Sequence, residues 1–153
     1  MEFSSLDPRN FKKIFFQFFL INLISVIASY IVVKEGLFVA PLYSLGKQMI
    51  RPSMYTIAVL AIFYTQWQKK QVARLATFEN FEERVVEYEK VYKYRLYWYL
   101  FACLVACVLF LLTAINVFFI FGILDVLMLL PYYPNKLLFK KDLKNNELVF
   151  IEK

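Results

Sequence analysis

Four long apolar stretches of this chain are separated by segments that carry very unequal numbers of Lys and Arg. Two of the stretches cover residues 14–33 and 52–68. The other two lie within the near-continuous run 96–135, which is long enough to cross a bilayer twice. Backbone groups inside lipid must be hydrogen-bonded within the chain, so each stretch is predicted to be helical. The pattern therefore predicts an all-α membrane protein with a single integral membrane domain, residues 1–153.

The run 96–135 has one polar cluster near its centre, residues 113–116, where we expect the chain to reverse. The four transmembrane helices are then predicted at about 14–33, 52–68, 96–113 and 116–134. The first is longer than the apolar region of a cleaved signal peptide, which favours a retained helix. Residues 34–51 form a mostly apolar loop that we expect along the membrane surface, and Pro52 is predicted to begin helix 2.

The distribution of Lys and Arg predicts the orientation of these helices. Three precede the first stretch, seven lie between the second and third, and five follow the fourth, whereas three lie in the remaining connections. By the positive-inside rule, both termini are predicted to be cytoplasmic, in a multi-pass protein of the inner (plasma) membrane. Because the basic residues border membrane spans and alternate with Glu, the charge of +6 does not indicate nucleic-acid binding.

The residues that usually carry catalysis are scarce in this sequence. It contains no His, which removes His-based catalysis, zinc binding and haem ligation together. The two cysteines, Cys103 and Cys107, lie four residues apart and are predicted to let another helix approach closely. We therefore expect a non-enzymatic protein without a metal site or cofactor.

Residues 69–95 contain neither Gly nor Pro, and apolar residues recur there at steps of three and four between charged residues. This spacing predicts that helices 2 and 3 extend as a cytoplasmic helical hairpin. The apolar side of this hairpin, which we call its seam, either packs within the chain or is a candidate interface for a partner. The candidate interface residues are Phe78, Phe81, Val85, Tyr88 and Tyr92.

The C-terminal tail, residues 135–153, begins with a predicted short amphipathic helix. Asn135 is the expected N-cap. Leu137, Leu138 and Leu143 are its expected apolar residues.

Several short runs in the second half of the chain resemble a known family. They are Phe81-Glu82-Glu83-Arg84, Tyr88-Glu89-Lys90, Arg95, Tyr133-Pro134-Asn135-Lys136 and Asp142-Leu143. Over roughly residues 50–145 the chain is similar to an uncharacterised family of small four-helix bacterial inner-membrane proteins. Tyr133 stands where that family usually has Arg. The resemblance implies the same topology and a bacterial source, and it implies no activity.

Asp125 is the one charged residue within the run 96–135. A carboxylate at mid-membrane costs about 2.5–3.5 kcal/mol on insertion scales, so Asp125 is expected to face protein or water. Asn22, Ser25 and Ser29 of helix 1 complete a candidate intramembrane polar site. Asp125 either relays a proton or cation, or is a protonated residue that hydrogen-bonds two helices together.

Two functions follow from these features. The first is a non-enzymatic integral membrane subunit or scaffold that assembles with itself or with a larger membrane protein complex. The alternative is a small oligomeric proton- or cation-coupled transporter that uses Asp125. In either case the expected partners are the lipid bilayer and other membrane protein subunits or further copies of the chain. No nucleic-acid partner is expected.

Overall fold

The computed structural model describes residues 5–38, 40–143 and 149–150, and this part of the chain is almost entirely helical. Its helices are α1 (Arg9–Lys34), α2 (Tyr43–Leu75), α3 (Phe81–Thr113), α4 (Asn116–Leu129) and α5 (Lys136–Leu143). A 3₁₀ turn, Leu130–Tyr132, follows α4, and the residue pairs β1 (Ser5–Leu6) and β2 (Val149–Phe150) lie side by side in parallel. The remaining residues of the predicted tail, 144–148 and 151–153, lie outside the described residues.

Two described helices, α1 and α3, are long and apolar enough to cross a membrane. The segments Asn116–Tyr132 and Lys136–Leu143 would add a third span if they are counted together, although they are bent by 79°. Helix α4 alone has 14 residues, about 21 Å at the α-helical rise and short of the roughly 30 Å hydrocarbon core. Helix α2 is long enough, but polar and charged residues flank its apolar middle. The chain is therefore a helical protein with membrane-spanning character.

Helix α2 begins at Tyr43, nine residues before the predicted start, and Pro52 lies inside it. The sequence-based start at Pro52 is therefore wrong. Proline suits the first turn of a helix, whereas an interior proline removes one backbone hydrogen bond and its ring crowds the preceding turn. Pro52 is exposed, so its ring does not have to fit against a neighbouring helix. The predicted surface loop 34–51 is thereby shortened to residues 35–42.

The reversals at both ends of α3 have local causes. Before α3, the Asn80 side chain accepts a hydrogen bond from the Glu82 backbone N–H at 2.9 Å and so caps the helix. After α3, Ala114 adopts a left-handed conformation with φ of 53°, and Ile115 is extended. Helix α4 starts at Asn116, so the chain reverses within the polar cluster 113–116.

Side-chain contacts show that helices consecutive along the chain alternate in direction. Tyr64 of α2 stacks on Trp98 of α3, and Trp67 meets Tyr94, so α2 and α3 are antiparallel. Helix α1 runs parallel to α3, because its Phe11 contacts Tyr88 and its Phe18 contacts Tyr97. Helix α4 folds back along both. We call the end at which residues 76–80 join α2 to α3 the hairpin end.

The described residues contain two hydrophobic cores. The aromatic core lies at the hairpin end and joins α1, the end of α2, α3 and α5. Phe11 lies at its centre, with its ring centroid 5.0 Å from that of Phe139 and 5.4 Å from that of Tyr92. The small-residue core lies further along the bundle. Its buried residues are Val26, Cys103, Cys107 and Val126.

Small residues bring α1, α3 and α4 together in the small-residue core. Cys103 and Cys107 are buried and free, and the Cys103 Sγ lies 3.8 Å from the Asn22 backbone oxygen. A Cβ atom added to Gly122 would lie 3.3 Å from Val26 Cγ2, tighter than ordinary packing. Both cysteines thus lie where neighbouring helices approach closely, as their size and spacing predict.

Helix α5 is capped as its sequence predicts, because Asn135 Oδ1 accepts a hydrogen bond from the Leu138 N–H at 2.8 Å. Its buried face differs from the expected one. The buried residues are Phe139, Asp142 and Leu143, whereas Leu137 is 78% exposed. The expectation for Leu137 is therefore wrong: Phe139 occupies the aromatic core, and Leu137 lies on another side of the helix.

Candidate functional site

Asp125 of α4 is half-buried and lines a cavity of about 520 Å³ between α2, α3 and α4. Most of the lining is apolar or aromatic, and Asp125 is its one charged residue. Polar side chains gather towards the hairpin end of the cavity, where Gln68 Nε2 donates a hydrogen bond to the Tyr64 hydroxyl at 3.2 Å. Tyr99 and Tyr132 lie there too, with 3.3 Å between their hydroxyl oxygens.

The cavity exists because α2 is held to the bundle mainly near its ends. Of its 33 residues only Gly46 and Leu75 are buried, and every residue from 54 to 63 is exposed. Gly46 lies against Thr113 and Ile115. Towards the hairpin end, the Tyr64 and Trp98 rings stack with centroids 4.7 Å apart and planes 3° from parallel. Between these contacts α2 stands away from α4.

The structure does not join Asp125 to the predicted polar residues of α1 by a hydrogen bond. Each of those residues bonds to its own helix instead: Asn22 Nδ2 donates to the Phe18 carbonyl, Ser25 to that of Ile21 and Ser29 to that of Val26, at 2.8–2.9 Å. Within the described chain no side chain hydrogen-bonds to the Asp125 carboxyl group. Asp125 lines the cavity beside α2, whereas Asn22 and Ser29 are buried on α1.

Asn22 has a buried acceptor that the sequence did not reveal. Its side chain is 1% exposed, and its Oδ1 atom has no hydrogen-bond partner in the part of the chain that the structure describes. A buried polar atom without a partner is costly, so this position is energetically unfavourable as it stands. The Asn22 side chain packs where helices contact each other and does not line the cavity, so we assign it no ligand.

The most deeply buried ion pair among the described residues lies elsewhere, at the hairpin end. Arg95 of α3 and Asp142 of α5 form an ion pair with 2.9 Å between Nη1 and Oδ2, and their side chains are only 3% and 8% exposed. The Tyr88 hydroxyl donates to the same Oδ2 atom at 3.0 Å. Tyr88 precedes the apolar part of α3, and burial raises the pKa of its hydroxyl well above the usual value. The hydroxyl therefore stays protonated and remains a donor.

Three further contacts surround this ion pair. The Arg95 guanidinium carbon lies 4.8 Å from the centroid of the Tyr132 ring, a cation–π geometry. Tyr92 donates its hydroxyl hydrogen to the Tyr132 carbonyl at 2.9 Å, and Arg84 Nη1 donates to the Leu143 carbonyl at 3.3 Å. The ion pair thus fixes α5 and the turn after α4 against α3.

The sequence contained a signal for this pair. Arg95 follows Tyr92 by three residues and precedes Tyr99 by four, so it lies on the predicted apolar seam. A charge on a buried face requires a partner of opposite charge, and Asp142 lies three residues after an apolar Phe139. Periodicity alone does not pair residues 47 positions apart, so Arg95 contributed to the predictions only as a basic residue between two spans and as part of the family resemblance.

The predicted partner interface packs largely inside the chain. Tyr88 and Tyr92 have no exposed surface and contact Phe11 of α1, and Tyr88 also contacts Phe139 of α5. The other seam residues, Phe78, Phe81 and Val85, are half-buried. This placement favours the self-contained alternative for the seam, with α1 and α5 as its neighbours.

Comparison with known proteins finds no protein-family model, curated protein or solved structure that matches this chain. The buried ion pair of Arg95 and Asp142 holds structure together, whereas Asp125 faces open space and is available to a ligand.

Proposed function

We propose that this chain is a non-enzymatic integral membrane subunit or scaffold that assembles with itself or with a larger membrane protein complex. In this proposal the chain crosses the inner membrane four times, with both termini and the hairpin end in the cytoplasm. The Lys and Arg residues around the hairpin end support that orientation, because basic residues favour the cytoplasmic side.

The alternating helix directions support four spans. Helices α1 and α3 are each apolar and long enough to cross a bilayer. Helix α2 runs antiparallel along α3 from Gly46, beside Thr113, to the aromatic contacts around Trp98. A helix in that position lies at the same membrane depth as α3. The same reasoning applies to α4 together with the 3₁₀ turn that follows it, because Phe119 contacts Phe110 of α3 near one end and Tyr132 contacts Tyr99 near the other.

The proposal that the chain assembles with another subunit rests on the exposed middle of α2. Large apolar side chains there have little contact with the rest of the chain: Tyr55 is 74% exposed and Ile62 is 63% exposed. Lipid can cover such residues, yet within the described chain α2 is held mainly at Gly46 and by the aromatic contacts that begin at Tyr64. A helix held so weakly is stabilised when another helix packs along it, and we infer that this face contacts a second subunit.

Oxidative crosslinking in native membranes tests this proposal. Ile62→Cys should form a disulfide-linked dimer, or a crosslink to another subunit, when an oxidant is added. Ile24→Cys is the matched control, because Ile24 is 61% exposed on α1. Equal crosslinking at both positions would indicate random collision, and no crosslink at Tyr55→Cys or Ile62→Cys would refute assembly through α2.

A second candidate function is a small oligomeric transporter that uses Asp125, and one observation favours it. The Asp125 side chain lines the cavity and makes no hydrogen bond to the described part of the chain, so it does not join two helices. A flux assay in liposomes that contain the purified protein tests this candidate. A folded Asp125→Asn variant should then lose flux.

A further inference from the structure

We propose that the cavity between α2, α3 and α4 binds a lipophilic organic cation, with the Asp125 carboxylate as its counter-charge. The inference rests on the second candidate function and names the class of substrate that such a transporter would recognise. The same site could also serve a scaffold that is regulated by a ligand, so binding is tested separately from transport.

The charge of the cavity indicates a cation. An ionised carboxylate in apolar surroundings is costly unless a positive group compensates it. The chain offers Asp125 no such group among its described residues: the buried Arg95 is paired with Asp142, and no basic residue lines the cavity. A positively charged ligand would supply the missing partner.

The lining indicates that the cation is organic. Small metal ions such as Ca²⁺ or Mg²⁺ need about six oxygen ligands, whereas the only carboxylate in the lining is that of Asp125. Aromatic faces attract organic cations and tolerate a bulky apolar body. The lining contains aromatic side chains from three helices: Tyr64, Trp98, Phe101, Phe118 and Phe121.

The size of the cavity and its position agree with such a ligand. A volume of about 520 Å³ lies within the usual range for pockets that hold small organic molecules. Three of the α2 residues that line the cavity, Ile57, Leu60 and Ala61, are exposed on the side of the bundle. In a membrane that side faces lipid, so a ligand that enters there must partition into the bilayer.

A lipid acyl chain is the competing occupant. It would fill the apolar volume, but it would place methylene groups against Asp125 and leave the carboxyl group without a partner. An organic cation satisfies both the apolar lining and the charge. The two occupants therefore differ in their dependence on the carboxylate and on the charge of the ligand.

Equilibrium binding of radiolabelled tetraphenylphosphonium to the full chain in lipid nanodiscs tests the proposal. The unmodified protein should bind it saturably, and Asp125→Asn should weaken binding about tenfold or more, because one partner of a desolvated charge pair is lost. Glu35→Gln removes an exposed carboxylate far from the cavity and should bind normally. The neutral triphenylphosphine oxide should not compete.

A second pair of variants tests the cavity without changing its charge. Ala61 lines the cavity from exposed α2, so Ala61→Trp should fill it and abolish binding while Asp125 remains. Ala28→Trp adds the same bulk at an exposed position of α1, which does not line the cavity, and should leave binding unchanged. This pair of variants tests whether the cation binds in the cavity even if Asp125→Asn fails to fold.

Three results would overturn the proposal: no saturable binding to the unmodified protein, equal binding to a folded Asp125→Asn variant, or effective competition by the neutral analogue. The last two would identify an apolar cavity that is filled by lipid. If the protein binds the cation but does not move it across liposome membranes, the binding site is supported and only the transporter function is refuted.

Discussion

The buried ion pair between Arg95 and Asp142 gives the sharpest stability prediction. The substitution Asp142→Asn removes one charge and leaves the Arg95 guanidinium buried without its counter-ion. Arg95 Nε already lacks a hydrogen-bond partner within the described chain, and the cation–π contact with Tyr132 supplies no negative charge in place of the carboxylate. Removing one partner of a buried ion pair costs about 3–5 kcal/mol. Because Asp142 lies on α5, the loss should appear first as detachment of that helix.

Trypsin cleavage at Lys140 and Lys141 of α5 measures this detachment, because a protease cuts only the opened segment. A loss of about 3 kcal/mol corresponds to a rise of about 100-fold in the population of the opened state. Asp142→Asn should therefore raise the initial cleavage rate by about that factor in the purified protein. Mass spectrometry of the C-terminal fragment identifies the site.

The matched control is Glu89→Gln, which removes one partner of the Glu89–Lys93 ion pair. That pair is just as short, at 2.7 Å, but its side chains are 30% and 44% exposed. Exposed i,i+4 pairs contribute only about 0.3–0.5 kcal/mol, so cleavage should hardly change. Replacing the buried pair with Arg95→Met and Asp142→Leu together should restore much of the resistance. If Asp142→Asn and Glu89→Gln raised cleavage equally, the argument from burial would be refuted.

Three further predictions address orientation, packing and Asp125. A membrane-impermeant maleimide added to intact cells should label Leu37→Cys and should label Glu83→Cys only after the membrane is opened; the reverse pattern would invert the topology. Gly46→Leu should lower the unfolding free energy by about 1–3 kcal/mol, because even a Cβ atom would lie 3.1 Å from the Thr113 Cβ atom and a larger side chain would overpack this contact, and an unchanged denaturation midpoint would contradict that packing. Asp125→Asn should change the unfolding free energy by no more than about 0.6 kcal/mol, and a larger loss in the same assay would show that the carboxyl group joins helices.

The helical architecture was predictable because its signals are local. Long apolar stretches indicate spans, and polar residues at 113–116 coincide with the reversal between α3 and α4. Asn80 and Asn135 both cap the helices that follow them, and each cap depends only on residues two or three positions away. The number of spans and the side of the membrane remain predictions.

The features that sequence reasoning missed depend on distant residues. Pro52 was expected to begin a helix because its effect was judged locally, yet α2 passes through it at an exposed position. The pairing of Arg95 with Asp142 joins segments that share no periodic pattern. Likewise, composition showed that Asp125 needs a polar or aqueous environment, but only the fold shows that it lines a cavity beside α2 rather than bonding to α1.

The two faces of α2 connect the proposed assembly with the proposed cation site. Ile57, Leu60, Ala61 and Tyr64 recur at steps of three and four and line the cavity, whereas Ile62 lies on the other side of the helix. A subunit packed along that other side would therefore leave the cavity open. It would also hold α2 in place, because within one chain residues 54–63 of this helix are all exposed. Cavity volume and subunit contact are then coupled through a single helix, so assembly would favour cation binding rather than compete with it.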